Sequence, residues 1–274
     1  MSRIKKQHFV PQFYLKHFVD AQSNIHAFDI VKQKQFVTTT VNIAHDRSFY
    51  DYKPLEEFIG VEQAIEHAFA NTEGEAAEFF RKLISTLDTN NLSSLTRDDY
   101  RELADFITTQ ERRTPQAQRQ IGEIAKSAGQ ELENDIQFQQ AYLLLHEDVL
   151  KVVEDWCDRY WIFWRNNTPL NFYTSDHPVV RYGHKDQKHE EIFFPITPRY
   201  GVSILFWDAL RQRAENRTVY ELSDPEEVKR YNFLMTTQCN RQIYSAKNDF
   251  AYAKELLKLN PTLTDPNRPR FLNT

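Results

Sequence analysis

Cysteine, glycine and long apolar runs are all scarce in this chain. Two cysteines, Cys157 and Cys239, are too few for a disulfide framework or a four-thiolate zinc site. The expectation is two buried free thiols in a reducing cytoplasm. Six glycines and eleven prolines in 274 residues exclude collagen-like and linker-rich architectures. No stretch reaches the roughly 18 consecutive apolar residues that a spanning helix needs. The polar start, Met1 to His8, lacks the apolar region of a signal peptide. Positive charge is not in excess either. Lys and Arg number 34 against 39 Asp and Glu, a net charge of −5, which excludes a globally basic nucleic-acid binder. Also missing are the Walker A loop, G-x-G-x-x-G, H-E-x-x-H, C-x-x-C and the G-x-S-x-G elbow, so P-loop, Rossmann, zincin and hydrolase-elbow chemistry find no support.

What is present is a globular composition: 41% hydrophobic and 14% aromatic residues, enough to build a sizeable core. Residues 8–19 form an aromatic segment in which Pro11 suits the first turn of a short helix. Strands are expected over 25–31, 35–41 and 47–52. A helical block follows, over about 54–69, 75–87, 96–115 and 131–155, with Pro115 ending or kinking the third helix. The acidic stretch 131–155 reads as a solvated face. Strands return over 160–164, 170–174, 192–197 and 202–206. A helix over 225–237 and a strand over 242–245 complete the pattern. Strands, then helices, then mostly strands do not alternate as βαβ units do. The fold class expected is α+β: a single domain over 1–274, with N-terminal and C-terminal antiparallel strands packed on a central helical block of about 54–157.

Four polar features stand on faces expected to be apolar. In the helix from Pro54, Leu55, Phe58, Ile59, Ile65 and Phe69 define a stripe at 100° per residue. Glu62 falls in its middle and Glu66 one turn on. Two carboxylates on a buried face are costly unless paired, protonated or bound to a cation. In the helix from Thr96, the stripe Tyr100–Leu103–Ala104–Ile107 turns polar at Gln110, Glu111 and Thr114, flanked by Arg112 and Arg113, which suits a pocket wall. Asp176 follows an aromatic strand in Thr174-Ser175-Asp176-His177-Pro178, a placement for a catalytic carboxylate or for a turn-stabilising one. His8 precedes the aromatic segment beside Lys5 and Lys6, where a base or a phosphate contact is expected. Each feature also has a purely structural reading.

Three strings carry a resemblance. QHFVPQFYLKHF holds His8, Val10-Pro11, Tyr14-Leu15 and Phe18; FITTQERRTP spans 106–115; and TSDHP spans 174–178, followed by Pro195 and Pro198. Together they resemble the bacterial family DUF4238, over about residues 6–245. At position 177 this chain has His where the family commonly has Asn. The resemblance implies boundaries and a shortlist of His8, Gln110, Arg113 and Asp176, but no reaction.

The two routes lead to one expected pocket, with His8, Glu62, Gln110, Arg113 and Asp176 as catalytic candidates and Glu62, Glu66 and Asp176 as metal ligands. The function expected is hydrolysis of a phosphodiester or nucleotide, nuclease-like, with Mg²⁺ or Mn²⁺ held by carboxylates. Nucleic acid or a nucleotide is the expected partner, and no membrane. Two alternatives stay open: a metal-free nucleotide glycohydrolase or transferase, and a non-catalytic binding or regulatory module with a protein partner.

Overall fold

The computed structural model describes residues 3–120, 136–145, 148–183, 190–207, 218–268 and 270. The expected helix start at 131–135 lies outside them. The chain runs β1 (Lys6–His8), α1 (Gln12–Leu15), β2 (Ile25–Asp29), β3 (Lys34–Thr38), β4 (His45–Arg47), α2 (Lys53–Ile59), α3 (Ala64–Asp88) and α4 (Arg97–Arg112). After these come α5 (Ile136–Leu145), α6 (Asp148–Cys157), β5 (Tyr160–Asn166), β6 (Thr174–Ser175), β7 (Val180–Tyr182), β8 (Glu191–Pro195) and β9 (Tyr200–Leu205). The chain ends with β10 (Thr218–Leu222), α7 (Pro225–Gln238), β11 (Gln242–Ser245) and α8 (Ala251–Leu259).

The fold is α+β, as the block order implies. One four-stranded sheet has the order β3-β2-β11-β6, so the N-terminal pair joins the C-terminal pair along β2 and β11. A five-stranded sheet has the order β10-β5-β9-β8-β7; its pairs are antiparallel except β10 with β5. β1 and β4 form a separate antiparallel ribbon. β8 and β9 are buried along their whole length, because this sheet is covered on both faces. Alternation along β8 then divides the core. Phe194 joins Tyr14, Phe80 and Phe106 on one side. Phe193 stacks on Tyr231 at 4.0 Å on the other.

Local sequence explains the helix ends. Thr96 caps α4 and forms a capping box with Asp99, a reciprocal satisfaction of free backbone donors. Pro115 opens a second helical stretch over 115–120, as its fixed φ and missing N–H favour.

The helix expected over 54–69 is corrected. α2 ends at Gly60, which adopts φ +76° and donates to Glu56 O at 2.8 Å. That left-handed cap suits a residue without Cβ. Gln63 then starts α3, its N–H bound to the Glu56 carboxylate at 2.9 Å. The intended stripe is cut in two. Phe58 is 89% exposed, and Glu62 lies exposed in the turn between the helices. α3 in turn absorbs the helix expected over 75–87. The strand expected over 47–52 shrinks to His45–Arg47, and that over 170–174 to Thr174–Ser175.

Candidate functional site

The three motif strings meet at the C-terminal end of α4. Gln110, 1% exposed, donates from Nε2 to Phe9 O at 2.8 Å. Arg113, 3% exposed, ends the helix and reaches four groups. Its Nη2 donates to His8 O at 2.7 Å and to Glu73 Oε1 at 3.0 Å, and its Nε to the Tyr50 hydroxyl at 3.1 Å. Its guanidinium also lies 4.0 Å over the Phe69 ring. Burial alone would weaken this cation, but Tyr50 and Glu73 hold it firmly charged. Next to it, Thr114 Oγ1 lies 2.7 Å from His177 Nδ1. Tyr14 donates to Pro195 O and lies 2.7 Å from Thr174 Oγ1. The aromatic segment, the polar end of α4 and the TSDHP turn are thus tied together by hydrogen bonds to main chain and to one another.

Asp176 has the contacts of a turn-stabilising carboxylate, not those of a metal ligand. It is buried, and its carboxylate accepts the N–H groups of Asn240, Arg241 and Gln242 at 2.8, 2.8 and 2.9 Å. It clamps the turn between α7 and β11. Burial pushes its carboxyl up to about 6 against those three donors. Near His177, Glu111 holds Arg181 in a two-point pair at 2.5 and 2.9 Å, and Arg181 also reaches Glu190 at 2.8 Å. Burial alone would raise Glu111, yet Arg181 holds it below its ordinary value.

His8 supplies its carbonyl, not its ring, to Arg113. The ring packs edge-on against His45 with centroids 5.2 Å apart. Burial, then His45, lowers it to about 4, so it is neutral at pH 7. Glu66 stands on α3, half-buried, and burial pushes its carboxyl up to about 7 despite the charge of Arg113.

The metal set does not assemble. Glu62 is exposed in its turn, Glu66 feels Arg113, Glu73 and Asp51, and Asp176 is spent on main-chain amides. Among the described residues, no three His, Cys, Asp or Glu side chains group to hold an ion. The chemistry of these donors therefore does not fit Mg²⁺ or Mn²⁺ as expected.

A cleft of about 250 Å³ opens between α3 and α4 instead. Gln110 and Arg113 line it, with Phe69 and Phe106, and Glu73, Glu75, Glu102 and Asp105 supply carboxylates. With its Nε2 committed to Phe9, Gln110 keeps a buried Oε1 without a hydrogen-bond partner. Gln110 and Arg113 are the shortlisted residues that the cleft brings together. Glu73 and Tyr50 were not legible as members, because each lies within an otherwise ordinary helix or strand-end pattern. Among the described residues, no helix is long and apolar enough to cross a membrane.

No curated protein and no solved structure matches the chain. A family model covers residues 6–249 of the 274, and the chain belongs to that family, described as a protein of unknown function (DUF4238).

Proposed function

We propose that the protein is a ligand-binding module whose site is the cleft between α3 and α4. The motif residues are its scaffold: they fix the end of α4 against the N-terminal segment and so hold one wall of the cleft. The observation that carries this reading is Gln110. A buried amide oxygen left without a partner costs about 1–3 kcal/mol, and here it belongs to a residue lining an open cavity. A ligand that brings a donor to this end of the cleft would satisfy it. The hydrolysis of a phosphodiester with Mg²⁺ or Mn²⁺ loses its motivation, since its carboxylates do not converge. Nucleotides and nucleic acid would also meet four carboxylates around this cavity. A cytoplasmic location is supported by Cys157 and Cys239, both buried and neither in a disulfide.

A metal-free hydrolase is the second reading, favoured by Glu66, whose carboxyl titrates near neutrality beside the Arg113–Glu73 pair. A group at about 7 exchanges protons efficiently at physiological pH.

A thermal-shift panel of Mg²⁺, Mn²⁺, nucleotides, sugars and amines tests the module. Binding stabilises by RT ln(1 + [L]/Kd), about 2.7 kcal/mol at a hundredfold excess. The exposed Thr72 lines the cleft, so Thr72→Trp obstructs it without touching the buried network. A shift seen in wild type and lost in Thr72→Trp is expected. A metal-dependent shift lost on Asp176→Asn would return the hydrolase to first place.

A further inference from the structure

We infer that the α3–α4 cleft binds a linear aliphatic polyamine, its ammonium groups on the carboxylates and its methylene stem on the aromatic walls. This rests on the cleft being the ligand site.

The cleft holds more hydrogen-bond acceptors than available donors. Glu73 and Glu75 come from α3, Glu102 and Asp105 from α4, and Gln110 adds a buried, unpartnered carbonyl oxygen. All are acceptors. The one basic lining residue, Arg113, is already bound to Glu73, Tyr50 and His8 O. Other cations act on this rim, but two are engaged elsewhere: Lys82 on Asp99, and Arg101 on Glu154. Arg112 lies near Asp105 and Glu111. The carboxylates also crowd one another. Burial raises Glu102, and Asp99, Glu75 and Asp105 raise it further. Asp105 is raised by burial as well. A ligand that brings N–H donors and positive charge relieves all of this at once.

Shape narrows the class. From Glu102 to Gln110 the helix rises about 12 Å, so the acceptors are strung out instead of gathered. A compact divalent ion wants several oxygens at one point, and no such group of three exists among the described residues. A triamine spreads its charges along a chain. Phe69 and Phe106 give its methylenes an apolar track. The cavity is also smaller than the roughly 300–1,000 Å³ typical of drug-sized ligands, which suits a thin chain.

The test is calorimetric titration of the full chain with spermidine at about 0.15 M salt, where exposed charges are screened beyond about 8 Å. Putrescine, MgCl₂, ATP and a neutral sugar run in parallel. Glu102→Gln with Asp105→Asn alters two exposed side chains and so keeps the fold. The expected result is saturable one-to-one spermidine binding, at least tenfold weaker in that double variant and lost in Thr72→Trp. Equal binding by wild type and double variant would mean diffuse attraction of a polycation, and would overturn the assignment. A probe other than a polyamine that binds wild type and not Thr72→Trp would keep the cleft as the ligand site and overturn the polyamine. If no probe is sensitive to Thr72→Trp, both readings fall.

Discussion

Thr114 Oγ1 and His177 Nδ1 sit 2.7 Å apart inside the protein, joining the end of α4 to the turn after β6. Burial lowers His177 to about 4, so the imidazole is neutral when folded. The unfolded chain takes up a proton near the ordinary value of about 6.5, while the folded one does not until about 4. Stability therefore falls as pH drops through that window, by up to about 3 kcal/mol from this residue. His177→Asn removes the titration. Urea unfolding at pH 7, 6, 5 and 4.5 should show a shallower acid limb in the variant. An identical limb would mean that His177 is not held neutral. His8, also lowered to about 4, contributes in the same sense and keeps the limb from vanishing.

Arg113 is expected to be the most costly single polar change. Its planar guanidinium meets a carbonyl, a hydroxyl, a carboxylate and a ring face from one position. Lysine cannot reproduce that fork. Arg113→Lys should lose about 3 kcal/mol, and Arg113→Met at least as much, because Glu73 loses its cation, and the Tyr50 hydroxyl and His8 O each lose a donor. A cycle with Glu73→Gln isolates the ion pair. A coupling below about 0.5 kcal/mol would show that Arg113 works through Tyr50 and His8 alone.

The fold class was legible because blocks of strand and helix do not alternate, and α7 and β11 followed from Pro225 at a helix start and from the short apolar pair Ile243-Tyr244. The motif meeting point was legible through Gln110 and Arg113: polar groups at the buried end of α4 call for partners, and Arg113 and the Gln110 amide nitrogen find them on the N-terminal segment, while Gln110 Oε1 is left without one. What failed was register across Gly60. A stripe drawn from Leu55 to Phe69 assumes one helix, and a left-handed cap at Gly60 resets it, carrying Phe58 and Glu62 to the surface. Of the two readings of Asp176, a catalytic carboxylate or a turn-stabilising one, its contacts fit the second, though at a turn remote in sequence. Its partners are three backbone N–H groups 64–66 residues away, which no side-chain pattern announces. β1, β7, β10 and α8 were missed because short or edge elements carry little periodicity.

Asp176→Asn tests the clamp. The carboxylate accepts three N–H groups, whereas an amide presents one oxygen and an NH₂ that opposes a donor. The loss at pH 7 should be about 2–3 kcal/mol. The pH sign is the reverse of that for His177. The folded Asp176 titrates at about 6 against about 3.8 unfolded. The folded state therefore holds its proton longer, and this residue's contribution is fullest below about 4 and declines as pH rises through 6. The variant should lack that decline. A variant as stable as wild type at pH 7 would show that the 240–242 turn does not depend on the carboxylate.

Gly201 offers a test of the central sheet that is independent of any charge. It lies on β9 opposite Pro195, and a Cβ built there would stand 2.6 Å from Cε2 and 2.8 Å from Cζ of Phe193. Contacts this short require something to move. The ring cannot swing away freely, because Phe193 stacks on Tyr231 at 4.0 Å and packs against Phe172 at 5.4 Å. Moving it would also disturb the Tyr231 hydroxyl on buried Glu191, at 3.0 Å. Overpacking a full core costs about 1–3 kcal/mol, so Gly201→Ala should lower the midpoint of urea unfolding by that much. The double variant Gly201→Ala/Phe193→Leu should recover part of the loss, since the smaller side chain vacates the space the methyl needs. If the single variant is as stable as wild type, the two strands have room to separate, and the tight stacking of Phe193 does not constrain this sheet.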